Sequence, residues 1–407
     1  MRGLLPRAGA ALLAGAASVA LAQQPAPSGP TPAQLHQDSV VRALVARLQL
    51  ESYKATIKGL TQFGDRRQGT DRNRNAVDWI EAQFKKYGCT EIGRIKYEFT
   101  GQQVKAGEAP RAPYRYADSP ARKGYPMKGV QTATGVNMDA MAQPDTAIRR
   151  IDAQADSPGP REEVYCTKIG SVHPDQMYIV GGHMDGHGYG QAANDDGSGT
   201  ALVMEVARVL LAPDVRTDIS IRFVLWNNEE TGLNGSRAYV AQRQSLQGKE
   251  EPAGSGRYPE PKWLGMIQHD MMLFDHGMPK PDGTMPKEQR PEADVNIEFA
   301  GASTLAPESQ KLAWFFRAAN DKFALDYPAA VGDRMSNTDS DPFKDITPSI
   351  SLRENERLAQ IGTGWDPQWH QVTDVYTTYS DKDFLLGLNA AETTLSALAL
   401  LTNATLR

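Results

Sequence analysis

The order of strand-like and helix-like segments is the feature that most restricts the fold of this 407-residue chain. From residue 160 onward, short apolar runs alternate with longer segments of helical periodicity. The predicted strands are residues 177–180, 218–226, 263–268 and 348–352, and the predicted helices are residues 200–212, 233–244, 309–324 and 383–401. This alternation predicts an α/β fold, a three-layer sandwich in which helices cover both faces of a mainly parallel central sheet.

The part of the chain before this alternation divides into three segments. Residues 1–22 combine two arginines, a short apolar run and small residues near the end, which is typical of a secretory signal peptide. Residues 23–34 form a Pro-rich leader. We expect residues 35–407 to form a single domain that starts with helices. Within it, a Pro-, Gly- and charge-rich excursion at about 101–160 is expected to connect two strands.

The signal peptide predicts export to the periplasm or the outside of the cell, after cleavage near Ala22. Two cysteines, Cys89 and Cys166, each lie beside a strand-like segment. A pair of cysteines in an exported protein is more often bridged than free, so we expect one disulfide between neighbouring strands. Two unpaired buried thiols are the alternative. The absence of a CxxC spacing argues against a zinc site built from these cysteines.

The charge pattern excludes some classes of partner. The chain has 49 acidic and 44 basic residues and a net charge of −5, with no run of basic residues. We therefore expect no nucleic-acid partner. The apolar part of the signal peptide is too short to cross a bilayer, so we expect no membrane span. The sequence leaves the oligomeric state open.

Ionisable side chains follow three predicted strands and a later loop. They are His183 and Asp185, Glu229 and Glu230, His269 and Asp270, and finally His370 and Asp374. In open α/β sheets, ligands bind outside the carboxyl ends of the strands. Because neighbouring parallel strands share that edge, we expect these side chains to face one crevice.

The residue types in this crevice point to a metal. Zinc binds imidazole nitrogen and carboxylate oxygen, and two zinc ions held close together need an anionic bridge. Asp195 lies in the sequence Asn-Asp-Asp-Gly-Ser-Gly (194–199), just before the predicted helix 200–212. The helix N-terminus favours a carboxylate there, and the glycines permit a sharp turn, so Asp195 is the candidate bridge. Of the adjacent Glu229 and Glu230, one is expected to bind metal and the other to accept a proton.

Five elements together resemble the co-catalytic di-zinc aminopeptidase family, which includes bacterial leucyl aminopeptidases and aminopeptidase Y. They are His-x-Asp at 183–185, Asn-Asp-Asp-Gly-Ser-Gly at 194–199, Glu-Glu at 229–230, Asp-Met at 270–271 and a late histidine at 370. Each element alone is a weak signal, but all five occur in the order usual for the family. The resemblance spans roughly residues 35–407, and implies that this region is one zinc-peptidase domain.

The resemblance implies two zinc ions per chain. His183 and Asp270 would hold one zinc, Glu230 and His370 would hold the other, and Asp195 would bridge them.

The resemblance also implies the catalytic roles. Glu229 would be the general base and later the proton donor to the leaving amine. Asp185 would orient the imidazole of His183, since histidines that bind metals generally need such a partner. The implied function is an exported aminopeptidase, a hydrolase acting on peptides with a free N-terminus. One alternative is a single-zinc acyltransferase similar to glutaminyl cyclases. The other is a non-catalytic binding module on a peptidase scaffold, similar to the transferrin receptor.

Two positions depart from the family pattern. Trp369 stands where many relatives have a tyrosine that helps to hold the developing oxyanion, and His269 replaces a smaller residue before Asp270. Supporting roles are expected for His187 as a solvent-facing or cleft-lining residue, for Asp196 at the helix N-terminus and for Asp374 as a structural residue. For Asp341, shaping the pocket and forming a turn are equally expected.

Overall fold

The computed structural model describes residues 31–99, 136–277, 284, 286–354 and 366–407. The predicted signal peptide, most of the leader and residues 100–135 of the excursion lie outside the described residues.

Eight α-helices occur in the described part of the chain. They are α1 (Pro32–Val45), α2 (Leu50–Thr61), α3 (Asp71–Lys86), α4 (Thr146–Asp152), α5 (Gly197–Leu210), α6 (Asn234–Arg243), α7 (Ala306–Phe323) and α8 (Asp381–Leu401). The first and last begin with capping boxes, in which Thr31 pairs with Gln34 and Ser380 with Asp383. These pairs satisfy main-chain N–H groups that have no partner inside the helix.

Eight strands form the central sheet in the order β1-β2-β5-β3-β6-β9-β7-β8. They are β1 (Glu91–Phe99), β2 (Gly159–Lys168), β3 (His173–His183), β5 (Ile219–Trp226), β6 (Lys262–His269), β7 (Val295–Phe299), β8 (Ala329–Gly332) and β9 (Ser349–Arg353), while β4 (Val215–Arg216) pairs with β10 (Thr405–Leu406) outside the sheet. The central strands β5, β3, β6 and β9 pair in parallel. The outer strands β2 and β7 pair with them antiparallel.

The predicted α/β class is confirmed, and every strand and helix predicted after residue 160 is present to within a few residues. The sequence reasoning missed β7 and β8. The sequence of β7, Val-Asn-Ile-Glu-Phe, does alternate apolar and polar residues as a half-buried strand does, yet all five residues, including Asn296 and Glu298, are buried. The strand β8 consists of small residues with little intrinsic preference for a sheet.

The two faces of the sheet are covered unequally. Helices α1, α2, α3, α5, α7 and α8 form the larger core on one face, whereas α6 and a 3₁₀ turn at residues 341–343 cover the other. Along β5, Phe223 and Leu225 belong to the larger core, and Val224 and Trp226 to the smaller one. Among the described residues, α8 is apolar and long enough to cross a membrane, but most of it is buried in the larger core.

The predicted disulfide between Cys89 and Cys166 is confirmed. Cys89 precedes β1 and Cys166 lies in β2, which pairs antiparallel with β1. The two cysteines are 77 residues apart in sequence, and in a chain-entropy account the loss of entropy on closing such a loop destabilises the unfolded chain by about 4.5 kcal/mol at 25 °C. The excursion connects these two strands, and its described part contains α4 and a 3₁₀ turn at residues 140–142.

Candidate metal centre

Six of the predicted site residues converge at the carboxyl end of the central strands. His183 ends β3, Glu229 and Glu230 follow β5, Asp270 follows β6, Asp195 precedes α5, and His370 lies in the segment after β9. The side chains of all six are buried. The parallel pairing of β5, β3 and β6 explains this convergence, because it brings their carboxyl ends side by side.

Asp195 lies between the two histidines. Its Oδ1 is 3.1 Å from Nε2 of His183, and its Oδ2 is 3.0 Å from Nε2 of His370. The same nitrogen of His370 is 2.7 Å from Oε2 of Glu230, and Nε2 of His183 is 4.0 Å from Oδ1 of Asp270. One carboxylate therefore connects two half-sites, each with one histidine and one further carboxylate.

Burial and neighbouring charges shift the pKa values of these groups. Burial disfavours the charged form of Asp195, but hydrogen bonds with His183 and His370 outweigh it and hold its pKa below the ordinary range. Burial also acts against the charged form of His370, yet Glu230 and Asp195 raise its pKa to about 10. For Glu229, burial raises the pKa well above its ordinary value. The carboxylates thus favour protonated, positively charged imidazole in the centre. A bound cation would supply the same compensating positive charge.

The donor set fits a metal. The Oε1 atom of Glu230 and the Nδ1 atom of His370 make no hydrogen bond among the described residues, although both atoms are buried. The ligand atoms of His183, Asp195 and Glu230 lie within 4.8 Å of one another. Buried imidazole nitrogens and carboxylate oxygens in this proximity are the ligands that zinc takes in proteins.

Comparison with known families decides the relationship of this chain. The family described as Peptidase family M28 matches residues 164–386, which is more than half of the chain. The chain belongs to peptidase family M28. The family predicted from the five motif elements is thereby confirmed, and all six converging residues lie inside the matched region.

Relatives of this M28 chain include a Mycobacterium tuberculosis protein named "Probable lipoprotein aminopeptidase LpqL". The two are 34% identical over 274 residues, which cover 65% of this chain and 50% of the relative. The chain spans half or less of the length of the curated relatives that it matches.

Solved structures show the same fold. A zinc aminopeptidase from Bacillus subtilis is 17% identical with a TM-score of 0.57, covering 87% of this chain and 95% of that one. A glutaminyl cyclase from Porphyromonas gingivalis is 16% identical with a TM-score of 0.54, covering 87% of this chain and 99% of that one. At such low identity, these likenesses establish the fold and leave the activity to the site itself.

Asp185 contacts three residues of the candidate metal centre, His183, Glu229 and Glu230. The prediction placed its carboxylate on the imidazole of His183, but Nδ1 of His183 donates to the main-chain carbonyl of Asp185 at 2.9 Å and is 3.9 Å from the carboxylate. The carboxylate accepts hydrogen bonds from the main-chain N–H groups of Glu229 (3.0 Å) and Glu230 (3.4 Å). Asp185 thus fixes the ring through its main chain and the Glu-Glu pair through its side chain.

Asp196 begins α5, as predicted. Its Oδ1 accepts from the N–H groups of Gly199 (2.8 Å) and Met271 (3.1 Å), and its Oδ2 accepts from the N–H of His183 (2.9 Å). This carboxylate therefore joins the start of α5 to the ends of β3 and β6.

Three further buried acids, Glu354, Asp366 and Asp374, surround Asn194 and are called here the support carboxylates. Asp374 accepts from the N–H groups of Asn194 (2.8 Å) and Asp195 (3.1 Å), which agrees with its predicted structural role. Glu354 and Asp366 each accept from Nδ2 of Asn194 at 2.9 Å. Sequence reasoning missed Glu354 and Asp366, since neither belongs to a recognisable motif.

Burial also shifts the pKa values of the support carboxylates. Burial, followed by the charge of Asp366, raises the pKa of Asp374 to about 7. Burial raises the pKa of Asp366 to about 6 against the opposing hydrogen bonds.

The remaining predicted residues divide between the centre and other places. Trp369 stacks on the imidazole of His370 with ring centroids 4.0 Å apart. His187 donates from Nε2 to the main-chain carbonyl of Glu230 at 3.1 Å, and its ring meets that of His370 edge-on. Both therefore pack against the late histidine.

His269 and Asp341 do not join this group. The ring of His269 bonds to Thr394 of α8 (2.8 Å) and to the carbonyl of Gly181 (3.1 Å), and burial lowers its pKa to about 4. It is thus a neutral core histidine. Asp341 lies in the 3₁₀ turn of the opposite face and pairs with Lys344 at 2.7 Å.

Proposed function

We propose that this chain is a zinc-dependent aminopeptidase that removes the N-terminal residue from peptides. The observation that carries the proposal is the placement of the Asp195 carboxylate, with one oxygen 3.1 Å from His183 and the other 3.0 Å from His370. A carboxylate shared by two half-sites is the arrangement that a pair of metal ions requires. Membership of peptidase family M28 supports peptide hydrolysis as the reaction.

Five residues would hold the metals. His183 and Asp270 form one half-site, Glu230 and His370 form the other, and Asp195 belongs to both. When bound, two zinc ions would polarise the scissile carbonyl and lower the pKa of the attacking water. Arg353 pairs with the carboxylate of Asp270, with contacts of 3.1 and 3.3 Å, and thereby limits its rotation.

Glu229 is the proposed general base. Its side chain is buried beside His183 and Asp270, and the three offer ligand atoms within 4.8 Å of one another. Its main-chain N–H is held by Asp185, which fixes the start of the side chain. A carboxylate oxygen of Glu229 takes a proton from the attacking water and later gives it to the nitrogen of the leaving peptide.

Action at the N-terminus and export are also part of the proposal. The Mycobacterium tuberculosis relative is named a lipoprotein aminopeptidase and the Bacillus subtilis structure is a zinc aminopeptidase. Residues 1–22 have the pattern of a signal peptide, and the disulfide between Cys89 and Cys166 is of a kind that persists in exported proteins. We infer that the mature protein acts in the periplasm or outside the cell.

The proposal is tested by incubating the chain, without residues 1–22, with a library of peptides in free and N-acetylated form. Mass spectrometry records the products with and without a metal chelator, while elemental analysis counts zinc. We expect loss of N-terminal residues from the free peptides only, abolished by the chelator, with two zinc ions per chain.

Other products would contradict the proposal. Cyclisation of N-terminal glutamine with one zinc per chain would favour an acyltransferase like the structurally similar glutaminyl cyclase. A fully metallated chain that leaves every peptide intact would favour a binding module.

A further inference from the structure

A segment inside the excursion, residues 136–143, contacts two loops at the candidate metal centre. Residues 136–143 lie against two loops, here called the His187 loop (residues 187–190) and the His370 loop (residues 370–372). The His187 loop follows His183 and Asp185, and the His370 loop contains the late histidine. No motif in the sequence links residues 136–143 to the site.

Asn137 bonds to both loops. Its main-chain N–H donates to the carbonyl of His370 at 3.0 Å, and its Nδ2 donates to the carbonyl of Gly188 at 3.0 Å. Because the first bond uses the main chain and the second the side chain, one residue fixes the distance between the two loops.

Gln143 makes a second bridge of the same kind. Its Nε2 donates to the carbonyl of Tyr189 at 2.8 Å and to the carbonyl of Val372 at 2.9 Å. The side-chain oxygen accepts from the N–H of Asp145 at the start of α4, and only 2% of Gln143 is exposed. Both N–H groups of this buried side-chain amide therefore donate hydrogen bonds, one to each loop.

The local backbone explains why such bridges are needed. His370 has a φ of +56°, a left-handed conformation that is strained for a residue other than glycine. It persists only where the surroundings fix it. Gly188 has a φ of +96°, and a Cβ on it would lie 2.3 Å from the carbonyl of His370, so the loops pack too closely for a side chain.

We propose that Asn137 and Gln143 are positioning residues that hold the His187 and His370 loops together. They thereby fix the imidazole of His370 next to Asp195 and Glu230. The excursion is then a part of the metal centre. The inference rests on the proposed function only in taking His370 as a metal ligand.

The test uses variants that keep the shape of the side chains but remove the N–H donors, Asn137→Asp and Gln143→Glu. Met141→Ala is the matched control, because Met141 lies in the same segment but is 69% exposed. Cobalt is titrated into the metal-free protein and its absorption spectrum resolves the binding steps, with circular dichroism to verify folding.

We expect Gln143→Glu to weaken one of the two binding steps by roughly 10–100-fold, as for other residues that orient metal ligands. Asn137→Asp is expected to have a smaller effect, since its main-chain bond to His370 remains. Met141→Ala is expected to bind cobalt like the wild type. In a His370→Ala background the remaining step should no longer respond to Gln143→Glu.

Equal weakening of both steps, or a lower melting temperature with unchanged cobalt binding, would overturn the inference. The titration needs no substrate, so its outcome is separable from that of the proposed function. A chain that shows the selective weakening but cleaves no peptide would disprove the aminopeptidase and leave the positioning role intact. If Gln143→Glu does not fold, Asn137→Asp decides by the same criteria.

Discussion

Two groups of buried carboxylates occur at the candidate metal centre and around Asn194. The metal-centre carboxylates are Asp195, Glu229, Glu230 and Asp270, and the support carboxylates are Glu354, Asp366 and Asp374. Both groups are acidic and both are buried, so composition and exposure do not separate them.

The groups differ in what their oxygens contact. In the candidate metal centre, the closest partners of Asp195 and Glu230 are imidazole nitrogens, which belong to the proposed metal ligands His183 and His370. Among the support carboxylates, Oε2 of Glu354 accepts from the main-chain N–H groups of Leu273 (2.9 Å) and Phe274 (2.6 Å). The hydroxyl of Tyr379 reaches the other two acids.

This difference teaches how to recognise the ligands. A carboxylate that accepts several N–H bonds from the main chain has used its lone pairs and serves to shape a loop. One that faces imidazoles retains the capacity to share a cation. For Asp195 and Glu230, the kind of donor that faces the buried acid, rather than its burial, therefore separates these proposed ligands from the support carboxylates.

The largest effect is expected from Asp195→Asn, which removes the shared carboxylate of the centre. We expect loss of bound metal and a fall in kcat/KM of about a thousandfold or more, since metals supply several kcal/mol of transition-state stabilisation. Elemental analysis and peptide hydrolysis measure both. Full metal content with near-normal activity would show that Asp195 does not bridge.

Glu229→Gln sharpens the comparison inside the metal centre. The amide cannot accept the water proton, so turnover is expected to fall by on the order of a hundredfold or more while metal content stays at the wild-type value. Glu230→Gln is the matched variant, for which metal content itself is expected to fall. Unchanged turnover in Glu229→Gln would remove this residue from the base role.

Asp374→Asn tests the support group. The amide places an N–H group against the N–H of Asn194 or Asp195, and so displaces the loop without touching a ligand side chain. We expect metal affinity to fall by about 10–100-fold. Tyr379→Phe removes only a hydroxyl that contacts Asp374 at 3.0 Å, and should have a smaller effect. If Asp374→Asn lost bound metal as completely as Asp195→Asn, the proposed difference in role between the two groups of carboxylates would be contradicted.

The smallest effect concerns stability and pH. Burial raises the pKa of Asp366 to about 6, above its ordinary value near 4, so the folded protein holds this proton more tightly than the unfolded chain. The resulting stabilisation is complete below about pH 4 and is lost as the pH rises to about 6, with a slope of at most about 1.4 kcal/mol per pH unit.

Asp366→Asn lacks this titration. In urea unfolding of chelator-treated protein, the unfolding free energy of the wild type should therefore fall relative to that of the variant between pH 4 and pH 7. Asp333→Asn, at an exposed carboxylate beside Arg334, is the control. Parallel pH curves for wild type and Asp366→Asn would contradict the assignment.

The metal centre could be predicted from the sequence because its residues follow strand ends. His183, Glu229, Glu230 and Asp270 each come directly after a recognisable strand, and parallel pairing places such ends together. Asp195 does not follow a strand, and it was predicted from its motif, Asn-Asp-Asp-Gly-Ser-Gly, and from the order of the motifs along the chain. Local sequence patterns were therefore sufficient to predict that these side chains converge.

Other parts of the site had no such local signal. Asp366 bonds to Asn194 across 172 residues of sequence, and Gln143 reaches Val372 across 229. These contacts depend on how loops from distant parts of the chain pack against each other. The hydrophobic periodicity of the sequence contains no information about that packing. The strand β7 is a different case, because its alternating sequence does carry a local strand signal, whereas the burial of its polar residues Asn296 and Glu298 is not encoded in that pattern.

The bond between Cys89 and Cys166 makes a closed covalent ring of the chain between them. That ring contains the whole excursion, including Asn137 and Gln143. A protease that cuts any one peptide bond inside the ring opens it but releases no fragment. The segment that contacts His370 therefore remains attached to the sheet after a single nick. Only reduction of the disulfide would then separate the two pieces.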